Sequence, residues 1–451
     1  MSGINILKIQ KELLNLSYVT KSAQKEVLPK FTLSKNGKNV IVFMLDRAIS
    51  GFIPMIFEEN PGLKESFSGF TYYPNTISFG MHTVFGAPPL FGGYEYTPQQ
   101  MNERSSEKLV EKHNEAIKVM PVIFLENDYD VTVCDIPYAN YNLIPDLSVY
   151  DEYPEIKKFL TIGRFTEKLK DEFRIEDNFE ESNRRNFFCY SVFKISPLVF
   201  QNFLYDGGDY YSSKIGYKIT KQFLDNYAVL HNLKEMTEIN ENSNNFIMID
   251  NELTHEPVFI PDYNIKMDDR EANNDSYFSF RTATQQKHYQ INMTAMLLLA
   301  SWFDFMRESG VYDNTRIIIV SDHGMTNDVD SMGLEYWSSM IMKEPKIDIS
   351  TCNPLLMVKD FNAKGFSTDN TFMTNADVPL FATNEVVKKA VNPFTGKAIS
   401  SDEKNLHPQL VTSSHNLSQN PQDYKFDTSD GHWYSVHDNI FDEANWERIV
   451  K

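Results

Sequence analysis

The chain has 451 residues, 41% hydrophobic and 13% aromatic, so it can bury a large core and global disorder is excluded. Its 43 Lys and Arg stand against 62 Asp and Glu, a formal net charge of −19, which argues against broad binding to nucleic-acid backbones. An anionic substrate stays compatible with that charge if something locally positive, such as a bound metal ion, receives it. Cys134, Cys189 and Cys352 are odd in number and far apart, which shows neither a disulfide framework nor a zinc–cysteine cluster. The apolar runs fall far short of the roughly 18 residues a membrane span needs, and the N-terminus lacks the pattern of a signal peptide. The chain as given therefore reads as soluble.

In chain order, Ile6, Ile9, Leu13 and Leu16 recur at three- and four-residue spacing, which predicts an amphipathic helix over about 4–20. It is either packed on the domain or a stalk below a membrane segment. Lys35-Asn36-Gly37-Lys38 marks a turn, and the apolar run over 39–45 predicts a strand buried on both faces, as in a parallel sheet. Weaker strands are predicted at 131–134 and 246–249. A helical pattern over about 291–308 ends at Ser309-Gly310, and a second buried strand follows at 316–320. Polar stretches near 171–185, 240–245 and 266–276 read as surface loops or solvated faces. Asn392-Pro393-Phe394-Thr395-Gly396 is a turn, beyond which the composition is loop-rich. Buried strands alternating with helices predict an α/β fold: a doubly wound, mostly parallel sheet flanked by helices, with a small C-terminal subdomain.

Both strong strands end in an acid. Asp46 follows the first directly, and Ser321-Asp322-His323-Gly324 follows the second. Ligands of open α/β sheets gather outside the carboxyl ends of the strands, so two carboxylates and an imidazole there are well placed for a metal. Asp46 alone could equally cap a helix, and Asp322 could serve a hydrogen-bonded turn. Between them, the stretch over 75–93 surrounds hydroxyls with glycines and prolines, which lets backbone amides approach an anion closely. Thr83 could open a helix there and present its hydroxyl to a metal. Composition leaves Thr76 and Ser78 as rivals, and His82 as either a base or a packed or surface histidine.

These segments resemble the alkaline phosphatase and sulfatase superfamily, most closely its lipoteichoic acid synthase-like phosphoglycerol transferases and phosphoethanolamine transferases. Residues 39–46 resemble the family's first strand with its acidic ligand. Thr83, Pro88, Leu90 and Gly93 resemble the nucleophile segment, with Thr in the nucleophile position. Leu253-Thr254-His255-Glu256-Pro257 resembles the substrate-site histidine segment, and residues 310–324 resemble the superfamily's most specific motif. The resemblance implies an alkaline phosphatase-like fold with Asp46, Thr83, Asp322 and His323 as metal ligands, and Thr83 and His255 as catalytic residues. It also implies one divalent ion, Mn²⁺ by preference, with Zn²⁺ or Mg²⁺ as alternatives.

Departures from the family narrow this reading. Nothing around Thr83 resembles the C/S-x-P-x-R context of formylglycine sulfatases, and a plain Thr lacks the geminal diol that releases sulfate. A second metal would draw on Asp250 and His255 with one of His415, His432 or His437, and is the less favoured arrangement. Asp46 stands where the transferases often have Glu. The implied organisation is an N-terminal helix and linker over 1–37, a catalytic α/β domain over 38–390, and a C-terminal subdomain or extension over 391–451. The implied activity is phosphotransfer from a phosphodiester head group through a phospho-threonine intermediate, with a hydrolase or a non-catalytic glycan-binding relative as alternatives. Its implied partners are an anionic lipid head group or cell-envelope polymer and no nucleic acid, at the extracytoplasmic face of a bacterial membrane. Membrane proximity would come through an N-terminal region the transferases carry.

Overall fold

The structure is a computed structural model describing residues 28–173, 179–205, 221–255, 278, 283–325 and 348–449. The helix predicted over 4–20 and the polar stretch 266–276 lie outside these residues.

The two apolar runs become neighbouring central strands. The strands are β1 (Phe31–Ser34), β2 (Asn39–Leu45), β3 (Phe70–Tyr72), β4 (Thr76–Ile77), β5 (Asp130–Cys134), β6 (Lys157–Phe159), β7 (Thr237–Asn240) and β8 (Asn245–Asn251). They continue with β9 (Thr315–Val320), β10 (Leu356–Lys359), β11 (Ser367–Thr368), β12 (Met373–Thr374), β13 (Gln409–Thr412), β14 (Trp433–Val436) and β15 (Trp446–Ile449). The main sheet has eight strands in the order β11-β3-β10-β9-β2-β8-β5-β6. From β9 through β2, β8 and β5 to β6 every pairing is parallel, whereas β10 runs antiparallel to both β9 and β3. The mostly parallel α/β architecture thus holds, with a mixed edge that the sequence reading did not resolve.

Continuous apolar runs are what a sheet covered on both faces requires. Ile41, Phe43 and Leu45 of β2 join one apolar cluster with Ile247, Ile249, Ile317 and Ile319. Val40, Val42 and Met44 point the other way and join Phe246, Met248, Ile318 and Val320. The first face is covered by the helix Lys221–His231 and by the helix Ala283–Glu308, which buries Trp302 and Phe303 against it. The second is covered by the helix Thr83–Gly92 through Ala87, Leu90 and Phe91, and by Met120 and Phe124 of the helix Val119–Leu125. Gly310, at φ +72°, ends the long helix where the sequence placed its cap.

β13, β14 and β15 form an antiparallel sheet of three strands near the C-terminus. Its Val411, Tyr434, Val436 and Trp446 pack in the same apolar cluster as β2 and β9. The stretch 171–185, expected as loop or solvated face, is partly helical, because the helix Thr166–Phe173 ends in it and the helix Phe179–Ile195 begins in it. Among the described residues no helix is long and apolar enough to cross a membrane.

Candidate metal centre

Strand register builds the site. Met44 of β2 lies beside Val320 of β9 and Asp250 of β8, so three parallel strands end at one level and their following residues emerge together. Asp46, Asp322 and His323 offer ligand atoms that all lie within 4.8 Å of one another, and all three residues are buried. Asp322 Oδ1 accepts the backbone N–H of His323 at 2.9 Å and of Arg47 at 3.2 Å, which fixes the carboxylate. Arg47 reaches this position with a left-handed φ of +61°. His323 Nδ1 donates to Gly324 O at 2.6 Å, leaving Nε2 to face Asp322 Oδ2 at 3.5 Å. A backbone carbonyl on one imidazole nitrogen is how proteins orient the other toward a metal. Gly324 is required here because a Cβ would come within 1.9 Å of Ser350 O.

The electrostatics of this cluster ask for a cation. Asp46 Oδ1 and Asp322 Oδ2 are buried and accept no hydrogen bond among the described residues. Burial first, then repulsion from Asp322 and Glu252, holds the Asp46 carboxyl well above the usual carboxylate range, with Arg47 opposing. Asp250 is pushed up in the same way by burial, Asp46, Glu252 and Asp322. Asp135, directly after β5, is raised to about 7 by burial despite hydrogen bonds from Thr161 and Ile162. Burial lowers the His323 imidazole pKa, opposed by Asp322 and the Gly324 carbonyl, so its neutral, ligating form is favoured. Two orphaned carboxylate oxygens and a neutral imidazole nitrogen fit a divalent ion of borderline hardness.

Thr83 opens the helix Thr83–Gly92, with His82 in extended backbone at φ −141° as its cap. The carbonyl of His82 accepts the N–H of Phe85 at 2.9 Å and of Gly86 at 3.0 Å. Two contacts dock this helix on the cluster: Gly86 lies against the backbone carbonyl of Asp322, and the rings of His82 and His323 are 6.2 Å apart. Thr83 falls between these two contacts in sequence, and its side chain is buried. Its rivals have their hydroxyls committed elsewhere. Thr76 Oγ1 donates to Tyr73 O at 2.6 Å, and Ser78 Oγ donates to Gly80 O at 2.8 Å.

His255 comes to the same strand ends. Thr254 Oγ1 donates to Asp46 O at 2.6 Å, and the His255 imidazole contributes to the field at His323. The other histidines separate. His415 meets His82 at 6.3 Å between rings, whereas His432 lies 3.1 Å from Arg448 Nη2 and His437 pairs with Asp438. Burial, then His323 and His415, lowers His82 to about 4, so it is a neutral neighbour rather than a surface histidine.

Five participants were missed in the sequence. Arg47, Asp135 and Glu252 each follow a strand directly or within one residue, the same signal that revealed Asp46. Tyr138, whose phenol is held up by burial and by Asp46, Asp322 and Glu252, carries no such signal. Nor does Asn375, which donates to Gly86 O and Asp322 O, each at 3.0 Å, and so ties the helix to the strand end.

No family model matches the chain, and no curated protein matches it. Solved structures do. The chain is similar to the lipoteichoic acid synthase LtaP from Listeria monocytogenes at 13% identity, over 88% of this chain and 85% of that one, with a TM-score of 0.44. It is similar to the phosphonate monoester hydrolase of Agrobacterium radiobacter at 11% identity, over 92% and 89%, with a TM-score of 0.48. Similarity to the C-terminal periplasmic domain of the phosphoethanolamine transferase EptC from Campylobacter jejuni is at 12% identity, over 84% and 99%, with a TM-score of 0.41.

Proposed function

We propose that the chain is a metal-dependent phosphotransferase acting on a phosphodiester head group of the phosphoglycerol or phosphoethanolamine type. The observation that carries this reading is the buried Asp46–Asp322–His323 group with the helix opened by Thr83 docked on it. Asp46, Asp322, His323 and the Thr83 hydroxyl would hold the ion, with Mn²⁺ the preferred metal. A divalent ion there supplies Lewis acidity, lowering the hydroxyl pKa and offsetting phosphate charge.

The chain's own groups do the rest. The first turn of the helix Thr83–Gly92 presents backbone amides and the positive end of its dipole to the bound anion. Thr83 Oγ1 loses its proton to solvent and bonds to phosphorus, and the bond from phosphorus to the leaving oxygen breaks. His255 donates a proton to that oxygen or a hydrogen bond to a non-bridging one. An acceptor hydroxyl then gives its proton to the deprotonated His255 and bonds to phosphorus, the bond from phosphorus to Thr83 Oγ1 breaks, and that oxygen takes up a proton from solvent, which regenerates the free side chain. On this reading residues 38–390 are the catalytic unit and 391–451 an extension, and the enzyme works at the extracytoplasmic face of a bacterial membrane.

Generic phosphodiester, phosphomonoester and sulfate-ester substrates, assayed with Mn²⁺ or Zn²⁺ and after chelation, test the proposal. Cleavage of the phosphodiester alone is expected, lost on chelation and restored by metal, with product yield rising when a polyol acceptor is added. Preference for the sulfate ester, or activity indifferent to chelation, would overturn it.

A further inference from the structure

His82 carries a side chain that the proposed chemistry does not use. It caps the helix Thr83–Gly92 through its backbone, and its side chain makes no capping bond. The imidazole turns instead among three rings, with centroids 6.2 Å from His323, 6.3 Å from Phe85 and 6.3 Å from His415. It hydrogen-bonds the backbone of His415, while its Nε2 is buried and has no hydrogen-bond partner among the described residues. A buried polar atom left unpaired beside a reaction centre calls for a ligand.

The C-terminal sheet sets this ring. Thr412 N donates to Phe79 O at 3.1 Å, which ties β13 to the segment leading into His82. His415 N donates to Asp430 Oδ2 at 2.9 Å, and Ser414 Oγ donates to Asp430 Oδ1 at 2.6 Å. Gly431 lies so close to this loop that a Cβ there would come within 2.5 Å of Ser414 N. The His415 carbonyl is thereby held as the acceptor of the His82 N–H, which fixes the tautomer and leaves Nε2 with a bare lone pair.

That lone pair selects its ligand. It repels an anionic phosphate oxygen and accepts from an O–H or N–H donor. The groups whose charges bear on His82 are His323, His415 and Arg47, all basic, so an ammonium is opposed and a neutral hydroxyl is not. The ring borders the candidate ligand His323 and directly precedes Thr83, where phosphorus would bind. We propose that His82 Nε2 accepts a hydrogen bond from a free hydroxyl on the alcohol joined to phosphorus, an assignment that rests on the phosphotransferase reading above. His82 then selects glycerol-type over ethanolamine-type head groups, and the C-terminal region orients it.

Binding tests this apart from turnover. The full chain carrying Thr83→Ala, loaded with Mn²⁺, is titrated calorimetrically with glycerol 1-phosphate, ethyl phosphate and phosphoethanolamine. Glycerol 1-phosphate is expected to bind about tenfold more tightly than either of the others. Adding His82→Phe, which keeps a ring and removes the acceptor, is expected to erase that advantage with Mn²⁺ affinity and melting temperature unchanged. His82→Gln, whose Oε1 accepts, is expected to keep part of it. Equal binding of the three ligands, preference for phosphoethanolamine, or an advantage that survives His82→Phe would overturn the proposal. So would an equal weakening of all three by His82→Phe, which would assign Nε2 to the phosphate, or a fall in Mn²⁺ affinity, which would assign it to the ion. Turnover of phosphodiesters by the parent reads the reaction separately: a chain that cleaves none of them yet prefers glycerol 1-phosphate through His82 keeps the subsite and loses the phosphotransferase.

Discussion

Thr83→Ala is expected to lower turnover on the order of 10³-fold or more while the protein still binds metal and melts near the parent temperature. The proposed nucleophile has no substitute in either rival, since the hydroxyls of Thr76 and Ser78 are donated to backbone carbonyls. The other candidate ligand atoms, on Asp46, Asp322 and His323, are set by strand ends that the substitution does not touch. Metal affinity should therefore fall modestly and the fold should hold. Steady-state kinetics, metal titration and thermal melting on the same preparation check this, with Thr83→Ser expected to recover part of the activity. Parent-like turnover in the alanine variant would remove Thr83 from the chemistry.

Gly86→Ala should be nearly as damaging, although Gly86 has no reactive group. A Cβ at this position would lie 2.1 Å from Asp322 O and 2.7 Å from its carbonyl carbon. Asp322 cannot retreat, because it follows β9, an interior strand of the eight-stranded sheet, and Asn375 clamps its carbonyl to that of Gly86. The helix must move instead, and Thr83 moves with it. Overpacking of this kind costs about 1–3 kcal/mol of stability. A displacement near 1 Å at a reacting atom costs about 10²-fold in rate. The control is Gly62→Ala, where a Cβ meets nothing within 4 Å and neither quantity should change. Wild-type kinetics in Gly86→Ala would show that the helix does not position the reacting group.

The parts legible in the sequence are those written in contiguous residues. The strands β2 and β9 are continuous apolar runs because both faces of the sheet are covered; Asp46 follows the first directly, and Asp322 and His323 follow the second after Ser321. What set them within ligand distance was register, Met44 beside Val320, which no local pattern encodes. The antiparallel strand β10 is four residues whose direction is fixed only by its neighbours. Asp135 was legible by the rule that revealed Asp46, whereas Tyr138 and Asn375 reach the site through turns remote from it in sequence. Composition could not separate Thr83 from Thr76 and Ser78. The distinction lies in hydrogen bonds, with two hydroxyls turned into the backbone and the third at the start of a docked helix.

The proposal turns on a covalent bond at one atom, and peptide-mapping mass spectrometry observes that bond directly. The full chain is incubated with Mn²⁺ and a phosphodiester substrate, quenched in acid and digested. The expected result is a phosphoryl-type mass increment on the peptide containing Thr83, fragmenting to that residue, absent after chelation and absent in Thr83→Ala. An increment on Ser78 or Thr76, or sustained turnover with no increment on any peptide at any quench time, would contradict it.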